Sequence, residues 1–196
     1  MSAEQDDVGP LLRRLRRRQN LTLLQLAERI GCSESLLSKI ERGHLRPTLR
    51  MLHLIAHELD VEVSAVMGGQ PQSAVTIYES GARPQFRLSG QVDGAPPVVL
   101  ERAIPWREEC VLDANLHVIP PGCGSEGAYS HQGEEVGFVI AGTVELSVDG
   151  RLYRLEPGTS FYFDSRLPHS YINLGANEAK IFWVNGLRQR AGTPST

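Results

Sequence analysis

The chain has 196 residues, 41% of them hydrophobic and 22% charged, with a formal net charge of −3. This length suits one or two domains, and the composition is that of an ordinary globular protein rather than a disordered or fibrous one. No apolar run is long enough to span a bilayer, the acidic N-terminus is unlike a secretory signal, and the three cysteines form no CxxC pair. We therefore expect a cytoplasmic protein without membrane contact, disulfide framework or thiolate zinc site.

The net charge hides an asymmetry along the chain. Residues 9–50 contain ten Lys and Arg against three acidic residues, a local charge of +7, which leaves −10 for the remainder. A basic segment on an acidic protein indicates a site for a polyanion, although a run of arginines can equally be a solvated helix face.

The first part of the chain has the apolar spacing of helices. Hydrophobic residues recur every three or four positions and predict about five helices, near 10–18, 22–30, 33–42, 48–59 and 63–67. Thr22, Ser33 and Thr48 stand at N-cap positions, and Gly31 and Gly43 stand where helices end.

After residue 67 the pattern changes to short runs of β-forming residues separated by turns. The predicted strands are 75–79, 85–88, 98–104, 111–119, 136–140, 143–148, 151–155, 160–163, 169–173 and 179–184. The stretch Val148-Asp149-Gly150-Arg151 is a two-residue hairpin signal. The sequence thus predicts a two-domain α + β chain, with a disordered arm (1–8), an all-α domain (9–67), a linker (68–74), an all-β sandwich or barrel (75–185) and a tail (186–196).

The second and third helices have the features of a DNA-binding pair. One buried seam can join them, formed by Leu26, Ala27, Ile30, Leu36, Leu37 and Ile40. The outward side of the later helix then carries Glu34, Ser35, Ser38, Lys39 and Arg42. Short polar and basic side chains let a helix enter a major groove about 12 Å wide.

This stretch, LAERIGCSESLLSKIERG followed by PTL, resembles the helix-turn-helix of the phage-repressor-like (XRE, HTH_3) regulators over roughly residues 9–67. The resemblance implies that Glu34, Ser35 and Lys39 contact bases, and that Arg16 and Glu41 form an internal ion pair. It implies further contacts with phosphates or base edges from Ser33, Ser38, Arg42, Thr22, Gln25, Arg13 and Arg17.

Two later segments, 121–142 and 150–173, resemble the two motifs of the cupin barrel, a double-stranded β-helix or jelly-roll. His131, Glu135 and His169 match three of its four metal-ligand positions, and Tyr129 replaces a histidine at the fourth. Two interpretations stay open. These residues either hold a divalent transition metal (Zn, Ni, Mn or Fe) or form a polar, hydrogen-bonded floor for an organic ligand without metal.

Strand alternation adds an aromatic lining to this predicted pocket. The candidate ligand-binding residues are then Tyr129, His131, Glu135, His169, Phe161, Phe163 and Tyr171. Trp106 and Trp183 are interpreted as core residues.

The predicted function is that of a transcriptional regulator, a repressor, and not an enzyme. Its helical domain would bind a near-palindromic double-stranded DNA operator as a homodimer, and its barrel would bind a small-molecule effector. The main alternative is a metal-dependent cupin enzyme with an accessory helical domain, which Tyr129 disfavours because a phenol is a poor ligand at neutral pH. An antitoxin-like partner protein is a further alternative.

Overall fold

The computed structural model describes residues 8–61, 63–66, 75–89, 94–105 and 111–186. The arm up to residue 7, the linker 68–74, the tail from residue 187, Trp106 and Cys110 lie outside the described residues. Within the described ranges, no helix combines the length and apolarity that a membrane span requires.

The N-terminal part is helical, as predicted. Its described residues form α1 (Gly9–Arg18), α2 (Leu23–Ile30), α3 (Glu34–Glu41) and α4 (Leu49–Glu58), followed by the single turn α5 (Val63–Val66). The three predicted N-caps are confirmed, because the side chains of Thr22, Ser33 and Thr48 each accept a hydrogen bond from a backbone N–H three residues later. The left-handed conformation of Gly31, with φ of 70°, ends α2 and turns the chain into α3.

The core of this bundle includes the predicted α2–α3 seam. Every residue of the seam is buried except Leu36, which is half-buried. Beside it lies a buried ion pair, in which Arg16 Nε and Nη2 donate to the two carboxylate oxygens of Glu41 at 2.6 and 2.8 Å. Because Arg16 also donates to the carbonyl oxygen of Leu21, this guanidinium joins α1 to α3 and to the α1–α2 connection.

The C-terminal part consists of two antiparallel sheets. Its strands are β1 (Gln85–Leu88), β2 (Val98–Arg102), β3 (Leu112–Ile119), β4 (Glu134–Ala141), β5 (Val144–Val148), β6 (Arg151–Leu155), β7 (Ser160–Asp164), β8 (His169–Asn173) and β9 (Ala179–Gly186). One sheet has the order β1-β2-β3-β9-β4-β7, and the other β6-β5-β8. The predicted hairpin joins β5 to β6, and Asp149 and Gly150 both have the positive φ of its turn.

One strand prediction is wrong. Residues 75–79 form no strand, and the side chains of Val75 and Ile77 are exposed. β1 forms the edge of the large sheet, and among the described strands none pairs with residues 75–79. Local β-propensity without a pairing strand does not specify a strand.

The strand register arranges polar residues in rows across the large sheet. Asp113 on β3, Asn185 on β9 and Glu135 on β4 lie directly opposite one another. In the next row Trp183 lies between Asn115 and Gly137. This register concentrates polar side chains inside one end of the barrel.

Helix α4 lies against that same end. The backbone N–H of Arg50 donates to the carbonyl oxygen of Ser125 at 3.4 Å, and Arg50 Nε donates to that of Ala128 at 3.3 Å. The N–H of Ser89 donates to the carbonyl oxygen of Pro47 at 3.0 Å. The helical and β parts of the chain are therefore in direct contact.

Candidate DNA-binding surface and sensor site

Helix α3 presents a polar and basic face to solvent. Its buried side is occupied by Leu37, Ile40 and Glu41. Of the predicted recognition residues, Ser38 is half-buried, and the exposed ones are Ser33, Glu34, Ser35, Lys39 and Arg42. The structure thus brings these predicted residues together on one helix and its two caps, Ser33 and Arg42.

The N-terminus of α2 is a complete capping box. Thr22 Oγ1 accepts from the backbone N–H of Gln25 at 3.1 Å, and Gln25 Oε1 accepts from the N–H of Thr22 at 2.9 Å. Both side chains are exposed, and both use acceptor oxygens in the box. Their donor groups, the hydroxyl hydrogen and the amide NH₂, remain suited to a phosphate at the positive end of the helix dipole.

Helix α1 contains one buried arginine and four exposed ones. Arg16 is buried in the ion pair with Glu41, whereas Arg13 and Arg17 are exposed. Arg14 and Arg18 are exposed as well, so burial alone does not rank the four exposed arginines as phosphate ligands.

Inside the barrel, two imidazoles converge on one carboxylate. His131 Nε2 lies 2.7 Å and His169 Nε2 lies 3.5 Å from Glu135 Oε1. The other carboxylate oxygen, Oε2, accepts a hydrogen bond from the indole N–H of Trp183 at 2.9 Å. Trp183 is therefore a core residue, as predicted, that also orients Glu135.

A backbone carbonyl oxygen lies close to the Nδ1 atom of each histidine ring. His169 Nδ1 lies 2.8 Å from the carbonyl oxygen of Leu167, and His131 Nδ1 lies 3.2 Å from that of Gln132. Since a carbonyl oxygen only accepts, these contacts favour a hydrogen on Nδ1. In that tautomer Nε2 of a neutral ring is an acceptor that faces Glu135 Oε1, an arrangement that a metal ion between these atoms would satisfy.

The residues present fit a divalent metal ion. The three ligand atoms of His131, Glu135 and His169 all lie within 4.8 Å of one another, and metal-bound histidines commonly donate Nδ1–H to a carbonyl in this way. Tyr129 does not complete the set as an anionic ligand. Burial first, then the charge of Glu135 and the neighbouring Tyr171, raise the pKa of its phenol well above the usual value.

Glu135 remains ionised in spite of its burial. Desolvation raises the pKa of this carboxyl, but the contacts with His131 and His169 together outweigh it and bring the pKa to about 2. Burial acts in the opposite direction on the nearby His117, whose pKa falls to about 4. The site therefore contains a fixed negative charge beside a neutral imidazole at pH 7.

A small cavity of about 20 Å³ adjoins this centre. Barrel residues provide most of its wall, and helix α4 contributes Leu49 and His53. Two of the lining atoms, Asn115 Oδ1 and Asn185 Oδ1, are buried and accept no hydrogen bond from the part of the chain that the structure describes. The barrel residues that line the cavity include Leu100, Asp113, Asn115, His117, Tyr129, Glu135, Trp183 and Asn185.

The predicted aromatic residues surround the centre rather than line this cavity, except for Tyr129. The ring of Phe163 packs 4.9 Å from that of His169, and Phe161 packs edge-on against Trp183 at 4.8 Å. The hydroxyl of Tyr171 lies 3.2 Å from His117 Nδ1. These rings position the polar side chains of the centre.

Comparison with known proteins connects both surfaces to a family. Residues 12–66 match the family described as "Helix-turn-helix", and residues 115–185 match "Cupin domain". The chain is 30% identical to the HTH-type transcriptional regulator SutR of Escherichia coli (strain K12) over 167 residues, which cover 84% of this chain and 85% of SutR. This chain belongs to the HTH-type transcriptional regulators.

Two further comparisons extend over nearly the whole chain. The HTH-type transcriptional regulator PuuR of Escherichia coli (strain K12) is 25% identical over 204 residues, which cover all of both proteins. The crystal structure of an HTH_3 family transcriptional regulator from Vibrio cholerae has a TM-score of 0.68 at 20% identity, covering 94% of this chain and 97% of that one. The two-domain fold, a helix-turn-helix bundle followed by a cupin barrel, is thus confirmed.

As a regulator of this family the chain binds DNA, but several residues of its cupin site were missed in the sequence. Asp113, Asn115 and His117 stand at alternate positions of β3, and this polar alternation was an available signal for an inward-facing polar row. No comparable signal marked His53, because its place at the site depends on how α4 packs against the barrel.

Proposed function

We propose that this HTH-type regulator is a repressor whose operator affinity is set by a small molecule bound in the cupin barrel. The observation that carries the proposal is the combination of two features in one chain: an exposed polar and basic face on α3, and a cavity lined by acceptor atoms that have no hydrogen-bond partner among the described residues. Because its site of action is operator DNA, the protein would work in the cytoplasm.

The DNA-binding half of the proposal assigns roles by position. Glu34, Ser35 and Lys39 on α3 would contact base edges, where Lys pairs with guanine and a carboxylate accepts from cytosine. The phosphates would be bound by the capping box of α2, by exposed arginines of α1, and by side chains of α3 and its caps, namely Thr22, Gln25, Ser33, Ser38, Arg42, Arg13 and Arg17.

The cavity's chemistry indicates the class of effector. Of the cavity-lining atoms, the side-chain oxygens of Asn115 and Asn185 are the ones without a hydrogen-bond partner in the described part of the chain, and ionised Glu135 lies in the same wall. Asp113 adds a second carboxyl group, with the buried Arg102 guanidinium nearby to offset part of its charge. Acceptors of this kind are satisfied by a ligand that donates hydrogen bonds, such as a molecule carrying an ammonium group.

His131, His169 and Glu135 would serve the same sensor role with or without a bound metal ion. A divalent ion held by His131, Glu135 and His169 would supply an open coordination position for an oxygen or nitrogen of the effector. Without a metal, the same three side chains would bind the effector directly through hydrogen bonds. Tyr129 would contact the effector in the wall of the cavity, and Phe161, Phe163 and Tyr171 would hold the surrounding side chains in place.

A homodimer would present two copies of α3 to one near-palindromic operator. An apolar patch on the outer face of the large sheet supports this assembly, since β4, β7 and β9 expose Val136, Phe138, Ile140, Tyr162 and Phe182 there. Contiguous apolar surface of this kind on a globular protein marks an interaction site. A second copy of the chain is the occupant that a two-fold symmetric operator requires.

One experiment tests both halves in sequence. Operator DNA is first selected from a random pool with the purified protein, and the metal content of that protein is measured. Alkylammonium compounds, neutral amides, carboxylates and the chlorides of Zn²⁺, Ni²⁺ and Mn²⁺ are then tested for a rise in melting temperature and a change in operator affinity. Glu135→Gln, which removes the charge but keeps the shape, is the matched control.

We expect a donor-bearing compound to raise the melting temperature of the wild-type protein and to weaken its binding to the operator, and we expect Glu135→Gln to lose both effects. Failure to select any preferred sequence would overturn the DNA-binding role. Compounds that stabilise the barrel yet leave operator affinity unchanged would overturn the sensor role.

A further inference from the structure

A histidine from the DNA-binding domain forms part of the cupin site. His53 belongs to α4, and its half-buried imidazole is stacked on the ring of Tyr129 at 4.3 Å and on that of His131 at 4.7 Å, with interplanar angles of 22° and 14°. Tyr129 and His131 are two of the residues proposed to bind the effector. The helical domain therefore covers those residues with an aromatic ring.

Further contacts fix α4 in this position. Arg50, one turn before His53, forms the two hydrogen bonds to the carbonyl oxygens of Ser125 and Ala128 described above. Leu49 joins His53 in the wall of the cavity. The opposite side of α4 is buried in the helical core through Leu52, Ile55 and Ala56. A displacement of α4 from the barrel would therefore move the helix-turn-helix with it.

With α4 docked against the barrel, the cavity is too small for an organic effector. The cavity of about 20 Å³ exceeds the roughly 10–15 Å³ that one water molecule needs, but pockets for small organic ligands measure about 300–1,000 Å³. An organic molecule can reach Glu135, Asn115 and Asn185 only if some part of the wall moves. The helical domain supplies Leu49, His53 and Val63 to this wall, and of these His53 is the one whose ring stacks on Tyr129 and His131.

We infer that His53 and the effector compete for the same space at the mouth of the cupin barrel, so that effector binding releases α4 from the barrel. This inference rests on the proposed function. It gives the coupling a physical basis, because a ligand changes an equilibrium only through its different affinity for two states. Here the two states are α4 docked on the barrel and α4 released, and they differ in where α3 is presented to DNA.

The test uses imidazole and three variants of the full-length protein. His53→Ala leaves a space of the size of one imidazole ring beside Tyr129 and His131. His53→Phe keeps an aromatic ring in that space. His57→Ala is the matched control, since His57 lies one turn further along α4 with a side chain that is 76% exposed. All proteins are freed of metal with a chelator, because imidazole also binds metal ions.

In His53→Ala we expect faster hydrogen exchange in residues 49–58 and 125–131, and a change in affinity for the selected operator of roughly 5- to 150-fold, the usual size of allosteric coupling. Added imidazole should reverse both effects in this variant. Imidazole should change neither hydrogen exchange nor operator affinity in His57→Ala, which behaves as wild type, or in His53→Phe, in which α4 stays docked.

Two results would overturn the inference. In the first, His53→Ala matches His57→Ala in hydrogen exchange and operator affinity. In the second, His53→Ala shows both changes but imidazole reverses neither. If the wild-type protein selects no operator at all, the proposed function has failed instead, and hydrogen exchange with imidazole still tests whether His53 fills the site.

Discussion

At the scale of single residues, the same side-chain types have opposite roles according to burial. Glu41 and Glu135 are buried, and each is matched by cationic or hydrogen-donating groups from other elements. Glu34 and Lys39 are exposed on α3, where no comparable partner is required. Exposure without a structural role is what a side chain needs if it is to contact DNA bases.

Lys39→Ala tests base contact at this scale. We expect this substitution to weaken binding to the selected operator by about 1–3 kcal/mol, with little effect on nonspecific DNA, because a base contact is sequence-dependent and a phosphate contact is not. The control is Arg14→Ala, which removes an exposed cation of α1. It should weaken binding to the operator and to nonspecific DNA equally, and by less than Lys39→Ala weakens operator binding. Titration of both DNAs at one salt concentration gives the comparison. Equal losses of Lys39→Ala on the two DNAs would remove Lys39 from the set of base-contacting residues.

At the scale of elements, the helix-turn-helix depends on a contact between its first and third helices. The ion pair of Arg16 with Glu41 is almost fully buried, and the hydrogen bonds that Arg16 donates to Glu41 raise the pKa of its guanidinium. Removal of one member would leave the other charge buried without its partner. This geometry fixes the orientation of α3 relative to α1.

Glu41→Ala should therefore lower the free energy of unfolding of the protein by about 3–5 kcal/mol, as measured by urea denaturation. Glu28→Ala, an exposed carboxylate on α2, should change it by no more than about 0.5 kcal/mol. The double variant Arg16→Met with Glu41→Leu should recover most of the loss, because it removes both charges and fills the space. A loss in Glu41→Ala as small as that in Glu28→Ala would contradict a bracing role.

At the scale of the whole molecule, the outer face of the large sheet is as informative as its interior. Cross-strand pairing places Val136 opposite Tyr162 and Phe138 opposite Phe182, so the exposed apolar side chains form a continuous patch. In a dimer formed through this patch, the two cupin barrels would lie at the centre and the two helical domains would each present one α3.

Phe138→Asp should weaken the dimer by about 2 kcal/mol or more, because it places a charge within the apolar contact. Leu152→Asp is the control, since Leu152 is also exposed and apolar but lies on β6 of the smaller sheet. Sedimentation velocity over a range of concentrations measures both. A wild-type protein that stays monomeric, or equal behaviour of the two variants, would contradict this interface.

Sequence by itself determined the features that depend on neighbours along the chain. Helix periodicity, the three N-caps, the turn at Gly31 and the hairpin at Asp149-Gly150 are set by contacts within a few residues, so they were predictable. The resemblance to the cupin motifs predicted that His131, Glu135 and His169 lie together, and the structure brings their ligand atoms within 4.8 Å of one another. Only the tertiary structure decided that 75–79 forms no strand and that Trp183 orients Glu135. It also decided that His53 covers the cupin site, since these features depend on packing between residues far apart in the sequence.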